Sequence, residues 1–187
     1  MALVLKTQFC DRQGLLDILD DMASRIGKDN FDFDSLCMIG ILSGGALITE
    51  YLAKKVGELT GKDIPVAFVD ITLYRDDMID TAYDPYSRKT EIPFSLKNRE
   101  VLLVDDVLFT GRTVRAALTS ILSQARPRLI RLAAVVDRGF RELPIHADFV
   151  GVFCETTRNQ GVRVRTSEHD QEPGIYIYEK EAPSKDV

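Results

Sequence analysis

A chain of 187 residues, 45% hydrophobic and 28% charged, has the size and composition of one globular domain with a sizeable core. Its net charge of −5 argues against a general nucleic-acid binder, its three cysteines show no paired spacing for a disulfide framework or zinc site, and its two histidines are too few for a metal cluster. No signal peptide or membrane-spanning run is visible, so a cytoplasmic protein without membrane partners is expected.

The first clear periodicity is helical. Leu15, Ile18, Leu19, Met22, Ala23 and Ile26 share one face, and Asp17, Asp20 and Asp21 lie on the other. Residues 38–42 read as a short strand ended by Ser43-Gly44-Gly45. A second amphipathic helix over 46–59 carries Ile48, Tyr51, Leu52, Val56 and Leu59 on one side, and 65–73 reads as the next strand. Residues 76–98 hold Pro85, Pro93 and many charges without sustained periodicity, the pattern of a lid or a disordered loop. The apolar run from Val101 to Val104 is a third strand. The helix after it shows Val114, Ala117, Leu118, Ile121 and Leu122, and 129–136 is a fourth strand. Strands alternating with helices predict an α/β fold, a Rossmann-like parallel sheet flanked by helices with right-handed crossovers. From Ala147 the pattern changes to short strands at 147–154, 161–165 and 174–178, and residues from Glu181 onward should fray. We expect one domain over 1–187, with a core at about 30–146 and a small accessory piece over about 147–180 plus the N-terminal segment.

The most informative stretch is Val101-Leu102-Leu103-Val104-Asp105-Asp106-Val107-Leu108-Phe109-Thr110-Gly111-Arg112-Thr113. A strand buried on both faces delivers two carboxylates to its carboxyl end, where ligands bind in open α/β sheets. The Thr-Gly-Arg-Thr turn then opens a helix, whose unpaired N–H groups suit an anion. A P-loop is excluded by spacing: the residue five before Gly111 is Asp106, not Gly, and Arg112 stands where Lys is required.

This run resembles the phosphoribosyl-pyrophosphate motif of type I phosphoribosyltransferases. The resemblance implies that Asp105 and Asp106 hold the ribose 2- and 3-hydroxyls and that Thr110, Gly111, Arg112 and Thr113 cradle the 5-phosphate, within a binding stretch from Val104 through Val107, Leu108 and Phe109 to Thr113. Further blocks look like the PyrR family of pyrimidine operon attenuators with uracil phosphoribosyltransferase activity: Asp70-Ile71-Thr72-Leu73-Tyr74-Arg75-Asp76-Asp77, Val136-Asp137-Arg138-Gly139 and Arg141-Glu142-Leu143-Pro144-Ile145. The expected fold is then the type I phosphoribosyltransferase fold with a small C-terminal hood.

The implied reaction joins uracil to 5-phosphoribosyl diphosphate, giving UMP and pyrophosphate. Such chemistry passes through a cation-like sugar, so it rests on positioning and electrostatics. Neutralising the leaving group implies Mg²⁺, held directly or through water by Asp105 and Asp106. Asp70 is either a further metal candidate or a strand-end turn residue. Leu42, Ser43, Gly44 and Gly45 occupy the place of the family's pyrophosphate loop, or only start a helix. They look more like the hypoxanthine-guanine enzymes but lack their Lys, and they lack the Lys-Thr-Arg-Gly usual in PyrR. Arg75, in Tyr74-Arg75-Asp76-Asp77 at the start of the long loop, would contact pyrophosphate when that loop closes, whereas Asp76 and Asp77 could equally be solvated surface charge. Asp137 and Arg138 are candidates for the base, or an ion pair without ligand contact. Phe149 or Phe153 could pack on the base or in the core.

The family also binds a messenger-RNA leader through a basic face. Arg141 is retained there, but three Asp sit on the first helix, Phe140 replaces the usual His, His146 the usual Arg and Val152 the usual Lys. Lost cations weaken RNA binding, so attenuator binding is expected to be weak or absent. The competing readings are an RNA-binding regulator sensing UMP or UTP, a purine-base phosphoribosyltransferase hinted at by Ser43-Gly44-Gly45, and a silent phosphoribosyl sensor. The family implies a homodimer or higher homo-oligomer.

Overall fold

The computed structural model describes residues 3–42, 44–71, 92–166 and 172–180. Its elements run β1 (Leu3–Cys10), α1 (Arg12–Gly27), β2 (Leu36–Ile41), α2 (Gly45–Thr60), β3 (Val66–Val69), β4 (Glu100–Leu108), α3 (Arg112–Gln124), β5 (Leu129–Asp137), β6 (Phe149–Phe153), β7 (Gln160–Arg165) and β8 (Gly174–Lys180). Five strands form one parallel sheet in the order β3-β2-β4-β5-β6. β1, β8 and β7 form a separate antiparallel sheet in that order.

β4 is central because it is apolar on both faces. Leu102 and Val104 join a core cluster with α1 and α2, while Val101 and Leu103 join a second cluster with α3. The chain passes from β2 outward to β3, then returns to lay β4 on the other side of β2. That reversal separates the loops leaving β2 and β4 and opens a crevice at the carboxyl ends of the two strands. The two loops are residues 42–45 and 109–113.

Local chemistry sets the helices. Asp11 caps α1, its side chain accepting from the Gly14 amide at 2.9 Å. Leu15, Leu19, Met22, Ala23 and Ile26 are buried on one face, and the acidic face looks outward. α2 ends at Gly61, whose φ of +69° is the left-handed stop of a helix. Two expected apolar stripes shift. Leu59 and Leu122 are exposed, and Ala116 and Ser120 complete the buried face of α3 instead.

The largest difference from the sequence reading is at residues 147–154. They were expected in the accessory piece, yet β6 pairs in parallel with β5 as an edge of the main sheet. Gly151 makes this possible by letting β6 lie directly under α1. A Cβ there would sit 2.6 Å from Ile18 Cγ2, 2.6 Å from the Val135 carbonyl and 2.8 Å from Met22 Sδ. β1 carries no clear alternation and was not expected as a strand. The expected strand over 65–73 is described only as Val66–Val69, with Asp70 and Ile71 following it; Thr72 and Leu73 lie outside the described residues.

At the amino end of the sheet, Arg131 is sandwiched between Phe31 and Phe149, 4.8 and 4.7 Å from their ring centroids. It bonds Asp29 at 2.5 Å and Asp148 at 3.1 Å, tying α1's exit to β5 and β6. The Gly151 contact gives a direct stability test. Gly151→Ala should cost about 1–3 kcal/mol by overpacking, read as a melting temperature several degrees lower; an unchanged melt would contradict this close approach.

Candidate active site

Asp105 and Asp106 stand near the end of β4, beside the crevice between the loops after β2 and β4. Asp105 is buried, and its Oδ1 accepts the Asp106 amide at 3.0 Å. Asp106 is half-buried, and its Oδ1 accepts the Val107 amide at 2.9 Å. Burial pushes the Asp106 carboxyl above its usual range, partly offset by hydrogen bonding with Asp105 and nearby amides. The two carboxylates face different neighbours, as alternation along a strand requires. Asp105 lines a cavity of about 310 Å³ formed with residues 107–114 and Glu142. Asp106 lies against the β2–α2 loop.

That second contact is close. A Cβ at Gly44 would collide with the Asp106 carboxylate, 2.7 Å from Oδ1, and one at Gly45 would stand 2.8 Å from the Val104 carbonyl. Side chains at 44 or 45 would force the loop off the strand. Thr49 Oγ1 in α2 bonds back to the Gly45 carbonyl at 2.6 Å and fixes the loop from behind. The structure therefore brings Gly44 and Gly45 to the acidic pair. Leu42 is half-buried beside them; Ser43 lies outside the described residues.

The other wall is the turn into α3. Gly111 has φ +91°, a left-handed conformation suited to glycine, and precedes the first helical residue, Arg112. No carboxylate caps α3; of its first amides, that of Arg112 donates to Thr110 Oγ1 at 3.4 Å. Leu143 and Ile145 press on Gly111 from outside, where an added Cβ would lie 3.5 and 3.3 Å from their Cβ atoms. The Glu142 and Leu143 amides both bond the Thr110 carbonyl, at 3.0 and 3.2 Å. Arg112 is exposed and bonds Glu142 through Nε at 2.9 Å. Within the expected binding stretch, Val104 and Leu108 are fully buried packing residues, whereas Val107, Phe109, Thr110 and Thr113 are half-buried around the cavity.

Asp137 and Arg138, the candidates for the base, are both buried and largely occupied. Asp137 pairs with Arg141 Nη2, and its Oδ1 accepts the Gly139 amide at 2.9 Å. Arg138 Nη2 donates to the Thr157 and Gln160 carbonyls at 3.1 and 2.7 Å, and its Nε has no partner among the described residues. Arg141, the retained residue of the expected RNA face, also donates to the Ile145, Phe109 and Gly139 carbonyls at 2.9, 2.7 and 3.1 Å. Its guanidinium is an internal brace for the 139–145 turn. Phe149 is buried against Phe31, away from the crevice, while Phe153 is exposed. Asp70 follows β3 at the sheet edge, with β2 between it and β4. Arg75, with Tyr74, Asp76 and Asp77, lies outside the described residues.

Sequence reasoning missed Glu142 as a cavity residue and Phe140 beside Phe109. The only signal for Glu142 was its place in the Arg-Glu-Leu-Pro-Ile block. Mg²⁺ fits the acidic pair chemically. Among the described residues no group of three or more His, Cys, Asp or Glu could form a protein cage, and two hard carboxylates suit an ion that keeps waters and ligand oxygens.

The phosphoribosyl transferase domain family matches residues 7–171. The bifunctional protein PyrR of Pelotomaculum thermopropionicum is 44% identical over 174 residues, covering 93% of this chain and 96% of that protein. The bifunctional protein PyrR of Thermus aquaticus is 46% identical over 160 residues, covering 86% and 88%. The fold is shared with the HGPRT-ase of Leishmania tarentolae solved with GMP, with a TM-score of 0.70 over 95% of this chain and 99% of that one, at 16% identity. Sheet order, acidic strand end, glycine-capped helix and extended identity thus agree, and the chain belongs to the type I phosphoribosyltransferases, in the PyrR family.

Proposed function

We propose that this chain transfers the 5-phosphoribosyl group from 5-phosphoribosyl diphosphate to uracil, giving UMP and pyrophosphate. The observation that carries the reading is the contact between Asp106 and Gly44, which sets an acidic pair between two backbone-lined turns. In this reading Asp105 and Asp106 hold the ribose 2- and 3-hydroxyls. Amides and hydroxyls of Thr110–Thr113 take the 5-phosphate, and Leu42–Gly45 take the pyrophosphate. Arg75 is the cation assigned to the leaving group. The base sits at the carboxyl end of β5 near Asp137 and Arg138, and Arg138 Nε is the side-chain donor still open there.

Mg²⁺, when bound with the diphosphate, neutralises charge on the leaving group. Asp105 and Asp106 are the residues assigned to hold it, directly or through water. They also favour positive charge as the sugar carbon loses its pyrophosphate, which is electrostatic help aimed at the transition state. The antiparallel sheet β1-β8-β7 is assigned as the hood, with its start at about residue 154 because β6 belongs to the main sheet. The family likeness supports a homodimer or larger homo-oligomer in the cytoplasm. No helix among the described residues is long and apolar enough to cross a membrane.

A second reading, a regulator binding an RNA leader and sensing UMP or UTP, belongs to the same family. Two observations weigh against its RNA half. Arg141 is occupied internally, and Asp17 and Asp21 lie on the exposed face of α1. Titrating a pyrimidine-leader stem-loop over a salt series should give weak binding with a shallow slope. Tight binding with a steep slope would restore the regulator.

For the enzyme, Asp105→Asn and Asp106→Asn should each lower kcat about 100-fold or more, measured as pyrophosphate release. Full activity in both would remove their role. Asp106→Asn should also raise the melting temperature of the free protein at neutral pH. A carboxyl whose folded pKa is raised destabilises the fold when ionised, and that cost fades as pH falls through the folded pKa toward the unfolded value. Gly44→Ala should cut kcat/KM by about tenfold or more through displacement of the loop, with little change in melting. An acceptor panel of uracil, hypoxanthine, guanine and xanthine decides the base, and preference for a purine would overturn the uracil assignment.

A further inference from the structure

The turn after β5 places an aromatic residue in the left-handed region. Phe140 has φ +58° and follows Gly139 at +74°. Bulky residues rarely adopt this conformation, and they keep it only where their surroundings fix them. Here the surroundings are a column of two adjacent rings flanked by two guanidinium groups. Arg158 lies over the Phe140 ring, 5.4 Å from its centroid. Phe140 meets Phe109 edge to face, with centroids 6.1 Å apart at 74°. Arg138 lies 4.1 Å from the Phe109 centroid.

Both ends of the column return to the turn before β7. Arg158 belongs to that turn, and Arg138 Nη2 is held by its Thr157 and Gln160 carbonyls. This turn therefore grips Phe109 from two sides, and Arg141 holds the Phe109 carbonyl at 2.7 Å. Phe109 is the residue immediately before Thr110. Arg138 is 7% exposed, so its charge is largely out of water and the ring face supplies part of the missing compensation. A leucine at 109 would fill the space but offer no such face.

We propose that Phe109 is a positioning residue for the 5-phosphate cradle, held by Arg138 and Phe140 so that the turn before β7 sets where the amides of Thr110–Thr113 point. The proposal rests on the cradle assignment above. It makes the small sheet a determinant of sugar-phosphate affinity as well as a cover.

The test is calorimetric titration with ribose 5-phosphate without metal, beside KM for 5-phosphoribosyl diphosphate and kcat. Phe109→Leu should weaken ribose 5-phosphate about tenfold and raise KM similarly, with kcat within about twofold. Phe109→Tyr, which keeps the ring, should restore both. Phe140→Leu should act in the same direction, and the double variant should be non-additive; Phe140→Leu alone decides the matter if Phe109→Leu does not fold. Unchanged affinity in the folded variants, additivity, or loss of kcat and melting temperature at constant affinity would overturn the positioning role. Thr110→Ala, run in parallel, separates the two levels. If it weakens binding while the Phe variants do not, only the positioning role fails. If it also leaves affinity unchanged, the cradle itself is misassigned and the proposal fails with it.

Discussion

The loop after β2 must meet the carboxyl end of β4 without a side chain between them. Gly44 lies where any Cβ would collide with Asp106, and Gly45 lies against the Val104 carbonyl. The strand reversal between β2 and β4 opens the crevice, and these glycines let its walls close to molecular dimensions. Gly40 extends the same logic backward. A Cβ there would stand 2.5 Å from Thr49 Oγ1, so α2 can settle close on β2 and carry its first turn to the acidic pair. The position of the site is thus a packing result before it is a chemical one.

The chemistry then works against the packing. A buried carboxylate, Asp105, and its half-buried neighbour Asp106 stand beside a loop whose Leu42-Ser43-Gly44-Gly45 sequence contains no cation. Local amides return part of the lost solvation, but burial still dominates at Asp106. Such a site is held by the surrounding core and is best satisfied by a partner that brings positive charge and hydroxyl donors together. A metal-bound sugar diphosphate has both. In the proposed reading, binding such a partner would complete an electrostatic arrangement that burial leaves unfavourable at Asp106 in the free protein.

The main features of this architecture were legible because they depend on local patterns. The β4 run is apolar on both faces and ends in Asp-Asp, and the α1 stripe at 15, 19, 22, 23 and 26 is a helical face. What the sequence hid depends on distant partners. β1 becomes a strand because β8 offers it an edge, and β6 joins the main sheet because Gly151 allows contact with α1. Residue types also left roles open. Asp137, Arg138 and Arg141 are the polar residues a ligand would need, yet only the fold shows that Asp137 and Arg141 pair with each other and that Arg138 reaches across to Thr157 and Gln160. Gly111 could be anticipated from its turn; Phe140 in a glycine-like conformation could not.

The small sheet pairs the two ends of the described chain, Leu3 with Lys180 and Cys10 with Ile175. During synthesis the first strand emerges long before its partner, while every strand of the parallel sheet is complete by residue 153. Vectorial folding can therefore build the crevice at the carboxyl ends of β2 and β4 on the ribosome before the small sheet exists. The amino-terminal strand waits through that interval as an unpaired edge exposing Leu5 and Phe9, a stretch on which a holding chaperone could act.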